Sequence, residues 1–311
     1  NILLVTHIAP DGDAIGSITA MAQMLEELGV ENLLLACDDP AKVKHDFIPM
    51  FDRITADIDR ITAFQPDLVI ILDCSDERRG GKVFQAALSG SPIVVNIDHH
   101  ITNLKFANHN LVRIDAASTT QIIYDLLLDW RIDLSQDIAT SLLTGLVTDT
   151  LCFRTSNVTP RVMQVASELM SAGVSLSFIT ERTVNRRPVE AVQYWATQLG
   201  TLQLEDRIVW TYATKDMRRR SRFKSTGDAS LVTLLNTVWE ADMAASFVET
   251  GDNQVEVSLR AKRGYDVSGV AYDLGGGGHP AAAGCTIAGP LDSAIQLVLG
   301  KLRDAWSDQT G

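Results

Sequence analysis

The stretch "IVVNIDHHITN", residues 93 to 103, sets an acid and two histidines directly behind a run of strand-forming residues. Ile93, Val94, Val95 and Ile97 are β-branched and apolar, the pattern of a buried strand. Its carboxyl end then carries Asp98, His99 and His100 in succession. Three ionisable groups at the end of an apolar strand raise the question of what else gathers there.

Outward from this stretch the chain alternates. "NILLVTH" at the start predicts a buried strand, and Ile18, Met21, Ala22, Leu25 and Leu28 follow helical spacing before a second strand in "ENLLLAC". "PDLVIILDC" predicts another strand, with "GGKVFQAALSG" as the helix between it and "PIVVNIDHH". Such alternation predicts an α/β fold, a mostly parallel sheet flanked by helices. Further helices are expected at 118–129, 136–148, 160–172 and 175–183.

"NRRPVEAV" marks a boundary, because Pro188 suits the first turn of a new helix after a polar break. Two domains are therefore expected, 1–185 and a smaller α/β domain at 186–311. The second opens with strands at 201–213. In "QVEVSLR", Val255, Val257 and Leu259 alternate with Glu256, Ser258 and Arg260, so Arg260 leaves its strand on the face opposite the core. Val267, Val270, Ala271 and Leu274 predict a helix running into "GGGGHPAAAG", and a short strand and a helix at 290–305 complete the pattern.

Composition narrows the function. The 311 residues are 46% hydrophobic, which suffices for two packed cores. Apolar runs such as "LVIIL" at 68–72 fall far short of the ~20 residues of a bilayer span. The start "NILLVTH" lacks a charged region and a cleavage site. A soluble, cytoplasmic protein without a membrane partner is expected, its N-terminus trimmed by a few residues. Cys37, Cys74, Cys152 and Cys285 show no C-x-x-C spacing, so they read as reduced, buried cysteines rather than zinc ligands. The net charge of −12 excludes a protein that wraps long nucleic acid by counterion release. That charge is uneven: residues 1–185 carry 13 Lys/Arg against 24 Asp/Glu, and residues 186–311 carry 14 against 15. The acids concentrate in the first domain, where cations can balance them.

In an open parallel sheet the carboxyl ends of the strands form the edge at which ligands bind. "THIAPDGDAIGS" brings His7, Asp11 and Asp13 to that edge, the third strand brings Asp73, and "GLVTDT" adds Asp149 at the end of an apolar helix. Taken singly, Asp13 reads as a helix cap and Asp73 as a turn residue. Their convergence reads differently. Two carboxylates ~4 Å apart repel by roughly 4 kcal/mol at an effective dielectric of about 20, so such a cluster needs cations. Asp11, Asp13, Asp73 and Asp149 would neutralise two divalent ions. Imidazole and carboxylate ligands without thiolates suit Mn2+, and Mg2+ or another divalent first-row metal fits the same set. Two such ions about 3.5 to 4 Å apart clamp an in-line displacement at phosphorus and acidify a water.

At these residues the chain resembles the DHH phosphoesterase superfamily. Its four N-terminal motifs match in order as "HIAPDGD", "ILDCSD", "DHH" and "GLVTDT", and "SLRAKRGYDVSGVAYDLGGGGHPAAAG" resembles the DHHA1 domain. The resemblance spans nearly the whole chain. With "TDTLCFRTSNVTP" it looks most like the NrnA-type branch, the group of bifunctional oligoribonucleases (nanoRNases) and 3'-phosphoadenosine-5'-phosphate (pAp) phosphatases. Carried over by motif, His7, Asp11 and Asp73 would hold one metal, and Asp13, Asp73, His99 and Asp149 the other, with Asp73 bridging. His100 would face the scissile phosphate, and Asp98 would orient the histidines from behind. The resemblance implies an active site in the cleft between the domains, and with substrate lying there the layout would let movement near residues 184–188 gate binding and release. Leu151 and Cys152 stand where a small residue, often glycine, is usual, and Leu274 where Phe is usual.

In the second domain, Gly275, Gly276, Gly277 and Gly278 let backbone approach an anion, and no Lys-Ser/Thr follows to make a P-loop. With Arg260 and His279, and Arg154 from the first domain, they are the expected substrate-binding groups. The basic run "KDMRRRSRFK", 215–224, reads as a solvated helix face or a mobile loop. The leading expectation is a manganese-dependent enzyme that hydrolyses short single-stranded RNA to 5'-mononucleotides and removes the 3'-phosphate of pAp. Alternatives are a linear or cyclic dinucleotide phosphodiesterase, a RecJ-like single-strand exonuclease, and a non-catalytic nucleotide-binding module. The resemblance is compatible with a homodimer. Preferred substrate, polarity of degradation, physiological metal and oligomeric state are not encoded in these motifs.

Overall fold

A computed structural model describes residues 1–39, 45–251 and 253–310. They form two compact units, Asn1–Arg186 and Arg187–Gly311. The α/β, two-domain architecture expected from the sequence is the one observed.

The first unit is built on β1 (Ile2–Thr6), β2 (Leu33–Ala36), β3 (Ile54–Thr55), β4 (Leu68–Leu72), β5 (Ile93–Asp98) and β6 (His109–Val112). Their order is β3-β2-β1-β4-β5-β6, and every pairing is parallel. Alternation along the strands buries both faces. Leu3, Val5, Val69 and Ile71 pack with Val83 and Phe84 on one side, while Leu4, Ile70 and Leu72 pack with Ile18 and Leu142 on the other. Connections leave β1 toward one edge and β4 toward the other, so the order reverses between these two strands. Ligands bind at such a reversal, beyond the carboxyl ends.

Helices Gly12–Glu27, Thr119–Trp130, Gln136–Asp149, Pro160–Ser171 and Leu176–Arg182 follow. Each starts where an oxygen-bearing side chain can take an orphan amide: Asp11, Ser118, Ser135, Thr159 and Ser175 cap them in turn. Asp11, not Asp13, caps the first helix. Helices Gly12–Glu27 and Gln136–Asp149 cross at small residues, and a β-carbon on Gly16 would stand 2.4 Å from the Ser141 carbonyl oxygen.

The second unit carries β7 (Gln203–Glu205), β8 (Ile208–Ala213), β9 (Met243–Glu249), β10 (Gln254–Ala261), β11 (Gly277–His279) and β12 (Ala282–Ala288) in the order β11-β12-β10-β9-β8-β7. Only the β8–β9 pairing is parallel. Val255, Val257 and Leu259 face helix Leu291–Thr310 through Ile295, Val298 and Leu302. Glu256, Ser258 and Arg260 lie half-buried on the opposite face. The glycine run is not simply a loop, since Gly277–His279 pairs as an edge strand with Ala282–Gly284. Lys215–Arg220 is a short helix whose Lys215, Arg219 and Arg220 are exposed. All four cysteines are free, and Cys152 is only half-buried. Among the described residues no single helix is long and apolar enough to cross a membrane.

Candidate active site

The carboxyl ends of β1, β4 and β5 bring together side chains that are remote in sequence. His7 follows β1, Asp73 follows β4, and Asp98, His99 and His100 end β5. Asp11 and Asp13 come with the start of helix Gly12–Glu27, and Asp149 with the end of helix Gln136–Asp149. Asp73 occupies the left-handed backbone region at φ 57°, which turns its carboxylate back over the sheet edge. Its amide donates to the Ile97 carbonyl at 2.9 Å, so the turn is tied to β5.

Asp73 sits at the centre. Its Oδ2 is 3.5 Å from His7 Nε2, and its Oδ1 is 3.7 Å from both His99 Nε2 and His100 Nδ1. His99 Nε2 is also 3.0 Å from Asp149 Oδ2 and 4.0 Å from Asp13 Oδ2. Three sets of donor atoms, each within 4.8 Å of one another, result: His7, Asp11 and Asp73; Asp13, His99 and Asp149; Asp73, His99 and His100. These sets can bind metal ions.

The imidazoles are held from behind. His7 Nδ1 lies 2.7 Å from the Ile8 carbonyl and His99 Nδ1 3.4 Å from the Ala116 carbonyl, so a proton on each Nδ1 leaves Nε2 as the free donor atom. His99 Nε2 is buried, and apart from its 3.0 Å ion-pair approach to Asp149 it has no well-aligned hydrogen-bond partner. His100 Nδ1 donates to Asp98 Oδ1 at 2.7 Å. Asp98 is buried and also accepts from the His99 amide at 2.9 Å and from Asn103 Nδ2 at 2.6 Å.

The charges show what the cluster suits. Burial, together with the Asp73 and Asp149 charges, pushes the Asp13 carboxyl well above its ordinary range. Burial likewise raises Asp149 to about 6, against the His99 bond. Burial opposes protonation of His99, but Asp149, Asp13 and Asp73 outweigh it and push the imidazole up to about 10. For Asp73 burial is outweighed by the His7 bond and the charges of His99, His100 and His7, and its carboxyl is held below the usual range. Protons thus balance the excess carboxylate charge where divalent cations would. A buried imidazole nitrogen facing three carboxylates, two of them raised, fits metal ligation.

Several contributors were not foreseen. Thr119 and Thr120, both buried, hydrogen-bond Asp13 and Asp73, and Asn103 braces Asp98. The exposed Arg79 brings Nη2 to 3.2 Å from His7 Nδ1. Nothing in the run "ASTTQ", 117–121, marks the first of these in the sequence, since a polar helix start is equally common at a surface. Arg154 is exposed, and its Nε donates to the Leu151 carbonyl at 2.8 Å. Leu151, Cys152 and Phe153 all adopt left-handed backbone, φ 47°, 60° and 63°, which is why glycine suits this turn. Arg260, Gly275–Gly278 and His279 belong to the second unit. There the expectation for the glycine amides is corrected: those of Gly275 and Gly276 donate to the carbonyls of Tyr272 and Ala271, closing the preceding helix, and are not available to a ligand.

Comparison with known proteins identifies the family. Residues 1–146 match the model of the DHH family, N-terminal domain, and residues 226–306 that of the DHHA1 domain. The chain is 32% identical over 304 residues to the bifunctional oligoribonuclease and PAP phosphatase NrnA of Thermus thermophilus, covering 97% of this chain and 89% of that protein. It is 27% identical over 302 residues to the protein of the same name from Bacillus subtilis, covering 92% and 89%. An exopolyphosphatase-related protein from Bacteroides fragilis shares the fold, with a TM-score of 0.89 at 20% identity over 100% of this chain and 94% of that one. With a cluster of candidate metal ligands at the sheet edge, both domain models matched in order and the NrnA relative matched along its length, the chain belongs to the DHH/DHHA1 phosphoesterases, hydrolases of phosphate esters, in their NrnA-type branch.

Proposed function

We propose that this chain is a manganese-dependent phosphoesterase that hydrolyses short oligoribonucleotides to 5'-mononucleotides and removes the 3'-phosphate of pAp. One observation carries the reading. Asp73 offers one carboxylate oxygen toward His7 and the other toward His99, at 3.5 and 3.7 Å, as a carboxylate shared by two cations would. His7, Asp11 and Asp73 would hold one ion, and Asp13, Asp73, His99 and Asp149 the other. When bound, the pair would neutralise phosphate charge and lower the pKa of an attacking water. The substrate class is supported by the names of the relatives matched along almost their full length.

The chain's own groups do the rest. His100 is fixed through Nδ1 by Asp98, which leaves Nε2 to donate a proton to a phosphate oxygen. Burial alone would lower its pKa, but the Asp98 bond and the Asp73 and Asp98 charges outweigh it and raise it above the ordinary histidine range, which favours the proton-donating form. In the second unit Arg260 is half-buried, and among the described ion pairs it has no carboxylate. Burial lowers its pKa and the Asp228 charge only partly opposes this, so an anionic substrate would offset the cost of desolvating it. Arg154, His279 and the open edge of the Gly277–Gly278 backbone are the further phosphate contacts in this reading. A cytoplasmic location and a homodimer belong to the same proposal.

The test is one panel in Mn2+ with pAp, RNA of two to five nucleotides, long single-stranded DNA, cyclic di-AMP and pyrophosphate. Turnover of pAp and short RNA is expected. Activity confined to pyrophosphate, to the cyclic dinucleotide or to long DNA overturns the substrate assignment, and activity on nothing overturns the enzyme.

A further inference from the structure

Thr119 touches two of the carboxylates at once. Its hydroxyl donates to Asp73 Oδ1 at 2.9 Å, and its backbone N–H donates to Asp13 Oδ2 at 2.6 Å. Thr120 completes the grip on Asp13, its N–H and Oγ1 reaching Oδ1 at 3.0 and 2.8 Å. Both threonines are fully buried, and both stand in the first turn of helix Thr119–Trp130, where amides lack intrahelical partners. The helix does not need the Thr119 hydroxyl, because Ser118 already caps it by accepting from the Gln121 amide.

The oxygens that Thr119 holds are those that face His99: Asp73 Oδ1 is 3.7 Å and Asp13 Oδ2 4.0 Å from His99 Nε2. Asp73 Oδ2, which faces His7 at 3.5 Å, receives nothing from Thr119. A carboxylate oxygen accepts through two lone pairs, so a donor on one fixes the direction of the other. Without the hydroxyl the Asp73 oxygen on the His99 side loses its buried donor, while Oδ2 on the His7 side keeps the surroundings it had.

We infer that Thr119 is a positioning residue for one of the two cation sites, that of Asp13, Asp73, His99 and Asp149, and not for the site of His7 and Asp11. This rests on the two-metal reading above. It predicts an asymmetry that a merely structural threonine would not produce.

Mn2+ is titrated into the metal-free full chain, with free Mn2+ followed by electron paramagnetic resonance, for wild type, Thr119→Val and Thr119→Ser. Wild type is expected to bind two ions. Thr119→Val, similar in shape but unable to donate, should keep one class of site at wild-type Kd and weaken the other by about 10- to 100-fold. Thr119→Ser should restore both. Equal weakening of the two classes, or none, in Thr119→Val overturns the inference while leaving two-metal binding intact. A wild type that binds fewer than two ions overturns the two-metal reading and this inference with it. If Thr119→Val does not fold, Thr119→Ala carries the same outcomes.

Discussion

A β-carbon on Gly145 would stand 2.5 Å from Asp13 Oδ1. Helix Gln136–Asp149 therefore approaches the buried carboxylate with bare backbone, and the same β-carbon would meet Thr120 Oγ1 at 2.5 Å. In an ordinary helix interior alanine is better than glycine by about 1 kcal/mol. Here overpacking of a fixed network wins, at about 1–3 kcal/mol. Gly145→Ala is expected to lower the thermal midpoint and to weaken Mn2+ binding by displacing Asp13 from Thr119 and Thr120. A variant with unchanged midpoint and unchanged metal affinity would show that the network yields freely.

Asp98 separates orientation from ligation. It reaches His100 at 2.7 Å but lies in none of the sets of metal-binding donors. Asp98→Asn keeps the shape and weakens acceptance from His100 and the His99 amide. A fall of about 10- to 100-fold in kcat is expected, with both Mn2+ sites still filled at saturating metal. Loss of metal stoichiometry instead of kcat would assign Asp98 to the cation sites.

Much of this centre was legible in the sequence because it interrupts apolar strands. His7, Asp73, Asp98, His99 and His100 each follow residues that can only be buried, so an ionisable group there signals an edge with a purpose. Thr119 and Thr120 carried no such signal. They act half through backbone amides, on an aspartate more than a hundred positions away, and an "STT" helix start looks the same whether it faces water or a carboxylate. Strand β6 escaped for another reason. "HNLV" is short and half-polar, and it forms because Val95, Asn96, Ile97 and Asp98 offer a ready parallel edge, which is a tertiary cause. Strand β3, two residues long, and helix Ile58–Phe64 were likewise too short for periodicity to mark. The fate of the Gly275 and Gly276 amides depends on how the preceding helix ends, which composition does not encode.

Arg260 provides a test within the second unit. Its Nη1 donates to the Leu259 carbonyl at 2.8 Å, and burial works against its charge. Arg260→Ala removes a costly cation, so the thermal midpoint is expected to hold or rise. A hydrogen bond to a charged group contributes about 1.5–3 kcal/mol, so kcat/KM should fall by about 10- to 100-fold, mainly through KM, with Mn2+ binding unaltered. A destabilised variant with normal KM would make Arg260 a structural residue.

The raised groups of the cluster fix how metal and pH act together. His99 is pushed up to about 10 in the fold, burial being outweighed by Asp149, Asp13 and Asp73, whereas an unfolded histidine titrates near about 6.5. Its protonation stabilises the metal-free fold fully below that value and is lost as pH rises through about 10. Asp149, raised to about 6 by burial, acts in the same sense: its contribution is full below about 3.9 and lost as pH rises through about 6. Asp73, held below the usual carboxylate range, acts in the opposite sense, but only in acid, where an unfolded carboxylate would gain its proton. Between about pH 6 and about pH 8 the metal-free protein therefore loses stability as pH rises. Divalent ions compete for the same Nε2 and carboxylate oxygens, so their binding strengthens as those protons leave. Thermal midpoints measured across that range with chelator and with saturating Mn2+ should diverge, the gap being widest at the alkaline end. A gap that stays constant or narrows would mean that His99 and Asp149 do not exchange protons for metal.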